Sequence, residues 1–235
     1  LRWSPLPGAD GEASAIAEVL KESQFGPVQV WKGDAAIEET FKAVDAPRIL
    51  HVATHGFFLA HQSGADALPI AANPENQSAA SRMARLRTLD NALLRSGIVL
   101  AGANRLSSPS EDRRIDDGWV TAEEIAACDF SGVELAVLSA CESGLGDVRA
   151  GQGVQGLQRA FQYAGAEAMV MSLFKVPDIE TRDLMERFYA QLVAGQSPRA
   201  ALAASQRDFI RVRRELEGGA HPFFWASFVF LGETE

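Results

Sequence analysis

The sequence predicts an α/β fold built on a mostly parallel, about six-stranded central sheet, and three observations carry that prediction. Short apolar runs without strict alternation recur along the chain, as strands covered on both faces do. Segments with helical periodicity separate those runs. The 235 residues, 47% of them hydrophobic, suffice for one sizeable core, and no linker or internal repeat divides them. A single domain over residues 1–235 is therefore expected, with right-handed crossovers that place helices on both faces of the sheet.

The expected strands are Val28 to Trp31, Ile49 to Ala53, Ile98 to Ala101, Leu135 to Ser139, Ala168 to Leu173 and Phe228 to Leu231. The first helix is expected from Gly11 to Ser23 behind an Asp10 cap, and the second from Ala35 to Val44 behind Asp34. Thr121 and Glu124 stand at capping-box spacing at the head of Thr121 to Ala127. Gly151 to Ala164 puts Val154, Leu157 and Phe161 on one face, and Ile179 to Ala194 stacks Leu184, Phe188 and Leu192. The last helix has Ser197 as cap, Pro198 at its first position and Gly218-Gly219 past its end. Residues 60–92 and 104–118 are polar and aperiodic, and both follow strands. Loops of that length are commonly functional.

Composition excludes several classes of function. A net charge of -9 and a pI near 5.0 argue against general nucleic-acid binding. The arginines at 82, 85, 87 and 95 read as solvated surface. Two cysteines make no disulfide framework and suit a reducing, cytoplasmic setting. No apolar run approaches the roughly 20 residues that cross a membrane, and no secretory leader is present, so no membrane contact is expected. The chain begins at Leu1 without Met, and the C-terminal part of a longer protein is the expected context.

Ligands of open α/β sheets sit outside the carboxyl ends of the strands. Thr54-His55-Gly56 follows one expected strand, and Ala140-Cys141-Glu142-Ser143-Gly144 follows another. If those strands are neighbours, His55 and Cys141 meet at one sheet edge. An imidazole beside a thiol can take its proton, poise the thiolate for attack on a carbonyl, and return the proton to a leaving amine. An oxyanion needs N–H donors at about 3 Å, and glycine lets substrate come that close. The N–H groups of Gly56 and Cys141 are the candidates for that role.

The plainer readings stand beside this one. A cysteine after an apolar strand is commonly a small buried hydrophobe, and His-Gly is commonly a turn. Cys128, His51, His61 and His221 read as structural. No cluster has metal-ligand spacing. Gly151-Gln152-Gly153-Val154-Gln155-Gly156 fits GxGxxG formally but lies well past its strand, so it supports no nucleotide site.

The order of motifs resembles the CHAT domains, caspase-like peptidases often attached to tetratricopeptide repeats. The resemblance runs through LPGADGEASAI, RILHVATHGFF, SGIVLAGAN and DGWVTAEEI. It continues through LAVLSACESGLGDVRAGQGVQGLQRAFQYAGA, MSLFKVPDIETRDLMERFYAQL and HPFFWASFVFLG. It implies a caspase-like three-layer α/β/α sandwich and a Cys-His dyad, mapped onto Cys141 and His55. It further implies cleavage of protein substrates, no cofactor and no metal. A regulatory protein or tetratricopeptide-repeat segment is the implied partner. A pocket for a basic residue beside the scissile bond would need an acid at its floor, for which Asp116, Asp117, Asp147 and Asp178 are the candidates. Two other functions share these motifs: a catalytically silent scaffold or binding module of the same fold, and a cysteine acyl hydrolase of small esters or amides.

Overall fold

Six strands hydrogen-bond into one sheet in a computed structural model of the chain, which describes residues 3–45, 47–59, 92–104, 117–142, 152–174 and 177–232. They are β1 (Ile49–Phe58), β2 (Ser96–Val99), β3 (Trp119–Thr121), β4 (Leu135–Glu142), β5 (Ala168–Ser172) and β6 (Phe228–Gly232), in the order β3-β2-β1-β4-β5-β6. β4 runs parallel to β1 and to β5, β2 runs antiparallel to both β1 and β3, and β6 runs antiparallel to β5. Four strands thus share one direction and two oppose it, so the sheet is mostly, not entirely, parallel.

Helices cover both faces. They are α1 (Pro7–Leu20), α2 (Glu38–Lys42), α3 (Ala122–Ala126), α4 (Gln152–Ala164), α5 (Asp178–Val193) and α6 (Pro198–Glu217). Successive strand residues point to opposite faces. Leu50, Val52, Ala136, Leu138 and Met169 therefore join a core with Phe41 of α2, Ile125 of α3 and Phe161 of α4. Leu135, Val137 and Val170 join a second core with Ile16 of α1, Leu184 and Phe188 of α5 and Phe209 of α6. These two cores make the three layers of the α/β/α sandwich.

The caps that periodicity suggested are in place where they are purely local. Thr121 and Glu124 form a reciprocal capping box at α3. Ser197 Oγ accepts from the Ala200 N–H, Pro198 opens α6, and Gly218 closes it in the left-handed conformation at φ 75°. α1 begins earlier than its Asp10 cap implies. Pro7 starts the helix and Asp10 lies within its first turn, because proline's fixed φ suits the first helical position. The helix expected over Ala35 to Val44 breaks into a 3-10 turn, Gly33–Ala35, followed by the short α2.

Two strand assignments change. Val28 to Trp31 is not a strand, and Val28, Val30 and Trp31 are 38%, 43% and 45% exposed. An apolar run specifies burial, not the backbone partner that must supply it. No described strand lies alongside this run. β1, by contrast, continues past Ala53 through His55 and Gly56 to Phe58. Ser96–Val99 folds back antiparallel onto Phe58–His55 and holds that stretch extended. The Thr54 hydroxyl adds a bond to the Val99 carbonyl. Below it, Ile49 to Thr54 pair with β4 on one side only among the described residues.

Candidate active site

β1 and β4 carry the two candidate residues, His55 and Cys141. Their parallel register places Ala53 opposite Ser139, His55 opposite Cys141 and Gly56 opposite Glu142. Neighbouring strands lie about 4.8 Å apart, so the backbones of His55 and Cys141 are adjacent although 86 positions separate them in the sequence. Strand β4 extends through Cys141 itself. The row continues outward, with Val99 of β2 beside His55 and Trp119 of β3 beside Val99. The sheet thus brings together the histidine and the cysteine that sequence reasoning selected.

The chain's own N-terminal segment lies on His55. Its Nε2 donates to the Ser4 carbonyl at 2.8 Å. The Trp3 ring sits 5.1 Å from the imidazole and 5.4 Å, edge-on, from Trp119. Asn104 clasps the segment in both directions, since its Oδ1 accepts from the Trp3 N–H at 2.8 Å and its Nδ2 donates to the Trp3 carbonyl at 2.9 Å. With Nε2 carrying the proton, a neutral His55 keeps Nδ1 as its acceptor. Sequence reasoning did not find Trp3 or Ser4. A contact spanning about fifty residues leaves no periodic trace.

A second polar group lies deeper between the layers. Glu12 of α1, 4% exposed, accepts from Ser139 Oγ at 3.0 Å and stands 3.2 Å from His51 Nε2. His51 Nδ1 is 2.9 Å from the Tyr189 hydroxyl of α5. The stripe Glu12, Ile16 and Leu20 on α1 is the signal that reveals it, since a charge occupies a position spaced for burial.

The remaining candidates separate. Gly56 is buried inside β1, with Ile98 on one side and Glu142 on the other. Asp117 Oδ1 accepts from the Trp119 N–H at 2.9 Å at the start of β3, two strands from β1. Asp178 is the first residue of α5, where Pro177 is the cap. It lies against Gly8 of α1, where an added Cβ would fall 2.2 Å from its Cγ. That contact puts it near the segment that reaches His55. Asp116 and Asp147 lie outside the described residues.

Cys128, by contrast, packs beside the α2, α3 and α4 core, donates to the Glu124 carbonyl, and has its thiol pushed up chiefly by burial. Such a thiol is a weak nucleophile. No helix among the described residues is long and apolar enough to cross a membrane.

The family model described as the CHAT domain matches residues 1–233. Tetratricopeptide repeat protein 28 of Mus musculus is 27% identical over 232 residues, which cover 98% of this chain and 9% of that protein. Its Homo sapiens counterpart is 27% identical over 231 residues, 98% of this chain and 8% of that protein. The chain spans less than a tenth of the length of these curated relatives.

Proposed function

The chain belongs to the CHAT domain family, a caspase-like family, and on that premise we propose that it is a cysteine endopeptidase domain whose nucleophile is Cys141 and whose base is His55. The observation that carries this reading is the register of β1 and β4, which sets the two residues side by side. We take residues 1–235 as one domain of a longer, cytoplasmic protein that acts on a protein substrate. A regulatory protein or tetratricopeptide-repeat segment controls it, in keeping with the printed name of its relatives.

In this mechanism the Cys141 thiol gives its proton to the His55 imidazole. The thiolate then forms a C–S bond to the scissile carbonyl carbon, and the carbonyl π electrons move to oxygen. The Cys141 and Gly56 N–H groups are the proposed donors to that oxyanion. Because Gly56 lies within the β1–β4 ladder, its N–H serves only if the ladder parts at its upper end. Collapse of the intermediate breaks the C–N bond, and the imidazolium returns its proton to the departing amine. Water, activated by the same imidazole, hydrolyses the thioester and restores the thiol. Asp178 is the preferred acid for a basic substrate residue, because it stands near the segment that covers His55.

The test is digestion of a peptide library and of unfolded protein by the whole chain, alone and joined to tetratricopeptide repeats. Cleavage lost in Cys141→Ala and kept in Cys128→Ala supports the reading. Cleavage that survives in Cys141→Ala rejects it. A catalytically silent scaffold is the second reading, and the bond from His55 Nε2 to Ser4 favours it, since that contact occupies one nitrogen of the base. In a scaffold Cys141 labels with a thiol probe no faster in the wild type than in His55→Ala.

A further inference from the structure

Glu12 occupies a place in the buried stripe Glu12–Ile16–Leu20 of α1 where the four-residue spacing calls for an apolar side chain. Burying a carboxylate is costly unless its oxygens are matched. One oxygen is matched by Ser139 Oγ at 3.0 Å. The other lies 3.2 Å from His51 Nε2, off the line of a good hydrogen bond, and neither atom has another hydrogen-bond partner among the described residues.

Tyr189 is completely buried, and burial, then the Glu12 charge, hold its phenol well above the ordinary range. The hydroxyl stands 2.9 Å from His51 Nδ1, which leaves His51 Nε2 facing Glu12. Arg182 of α5 passes beside Gly11, where an added Cβ would fall 3.8 Å from its guanidinium.

The two strand residues that meet Glu12 lie directly beneath the proposed dyad. Ser139 stands two positions before Cys141 in β4, and His51 stands four before His55 in β1. We propose that Glu12 is a positioning residue, a single carboxylate anchored on α1 that ties β1 to β4 below His55 and Cys141 and so sets their mutual approach. This rests on the dyad reading above. A stripe that served packing alone would carry Leu or Ile here without the cost of a buried charge. The tie needs an acceptor at both oxygens. A carboxamide offers one acceptor and one donor, so Glu12→Gln removes the charge and keeps an oxygen toward His51 only by turning its NH2 to Ser139, whose hydroxyl must then accept instead of donate.

The experiment is alkylation of the whole chain by iodoacetamide across a pH series, with Cys141 and Cys128 followed separately by mass spectrometry. In the wild type the Cys141 midpoint is expected below that of Cys128, and His55→Ala is expected to raise it. Glu12→Gln is expected to raise the Cys141 midpoint by about half a unit or more, with a loss of about threefold in labelling below it, the thiolate lost per half unit. Cys128 is expected to stay unchanged. Ser139→Ala removes only a hydroxyl and is expected to act in the same direction. Adding it to Glu12→Gln is expected to change little more, because both variants release one tie.

A Cys141 midpoint that holds still or falls in both variants overturns the proposal. So does an equal movement of Cys128, which would mark general loosening. If instead His55→Ala leaves the wild-type Cys141 midpoint where it was, the dyad reading fails and takes this one with it.

Discussion

His55 stands opposite Cys141 in the β1–β4 ladder while its Nε2 donates to the carbonyl of Ser4, only a few positions from the first residue of the sequence. The proposed base is therefore built into the sheet beside its nucleophile and at the same time held by an N-terminal segment.

The pairing predicts unequal cysteines. Cys141 is expected to label with a thiol probe at neutral pH at least about tenfold faster than Cys128, whose thiol burial pushes up. His55→Ala is expected to remove most of that difference. Site-resolved labelling rates measure it, and equal rates in the wild type count against a dyad.

Asn104 is expected to gate the base. It holds Trp3 by two hydrogen bonds, and Trp3 and Ser4 lie on the imidazole. Asn104→Ala should cost about 1–3 kcal/mol of stability, at about 0.5–1.5 kcal/mol per bond. It should also speed Cys141 labelling severalfold by loosening the segment. Thermal unfolding and labelling rates are read together, and lost stability without faster labelling leaves the segment a purely structural strap.

Glu38 gives a pH signature. It is 1% exposed, pairs with Lys42 at 2.6 Å and accepts from the Gly118 N–H at 2.9 Å. Burial outweighs these partners and holds its carboxyl above the ordinary value of 4.5. A folded-state pKa raised above the unfolded one means that the folded form binds the proton more tightly. Its contribution is complete below about pH 4.5 and is lost as pH rises through the raised value. Melting temperature measured across a pH series should therefore fall in the wild type relative to Glu38→Gln as pH rises above that point. Parallel curves for the two proteins would refute the assignment.

Gly97 marks close packing beside the candidate site. An added Cβ would lie 2.2 Å from the Val120 carbonyl oxygen and 2.6 Å from Phe57 Cζ. The first of those atoms is backbone of the neighbouring strand and cannot rotate away. Gly97→Ala is expected to destabilise the fold by about 1–3 kcal/mol, visible as a melting temperature lower by several degrees. An unchanged melting temperature would show that β2 and β3 separate more easily than this spacing implies.

Much of this architecture is legible in residues close together in the chain. The caps of α3 and α6 involve partners three or four positions apart, so Thr121, Glu124, Ser197 and Gly218 announce them directly. The runs at Leu135, Ala168 and Phe228 read as strands because both faces are packed by helices. His55 and Cys141 stood out because each follows an apolar run and bears the chemistry of a dyad. For the caps and the strands, local sequence was enough, since the energy of a cap or an apolar face is set within a few turns of chain. What depended on the folded chain involves partners far apart. β1 reaches through His55 because β2 folds back on one side of it and β4 pairs on the other. Val28 to Trp31 stays in solvent because no described strand stands beside it. Ser4 meets His55, and Glu12 joins Ser139 to His51, across separations that no periodicity records. A backbone edge or a buried charge is satisfied by whichever group the whole fold delivers to it, and that delivery is decided by tertiary packing.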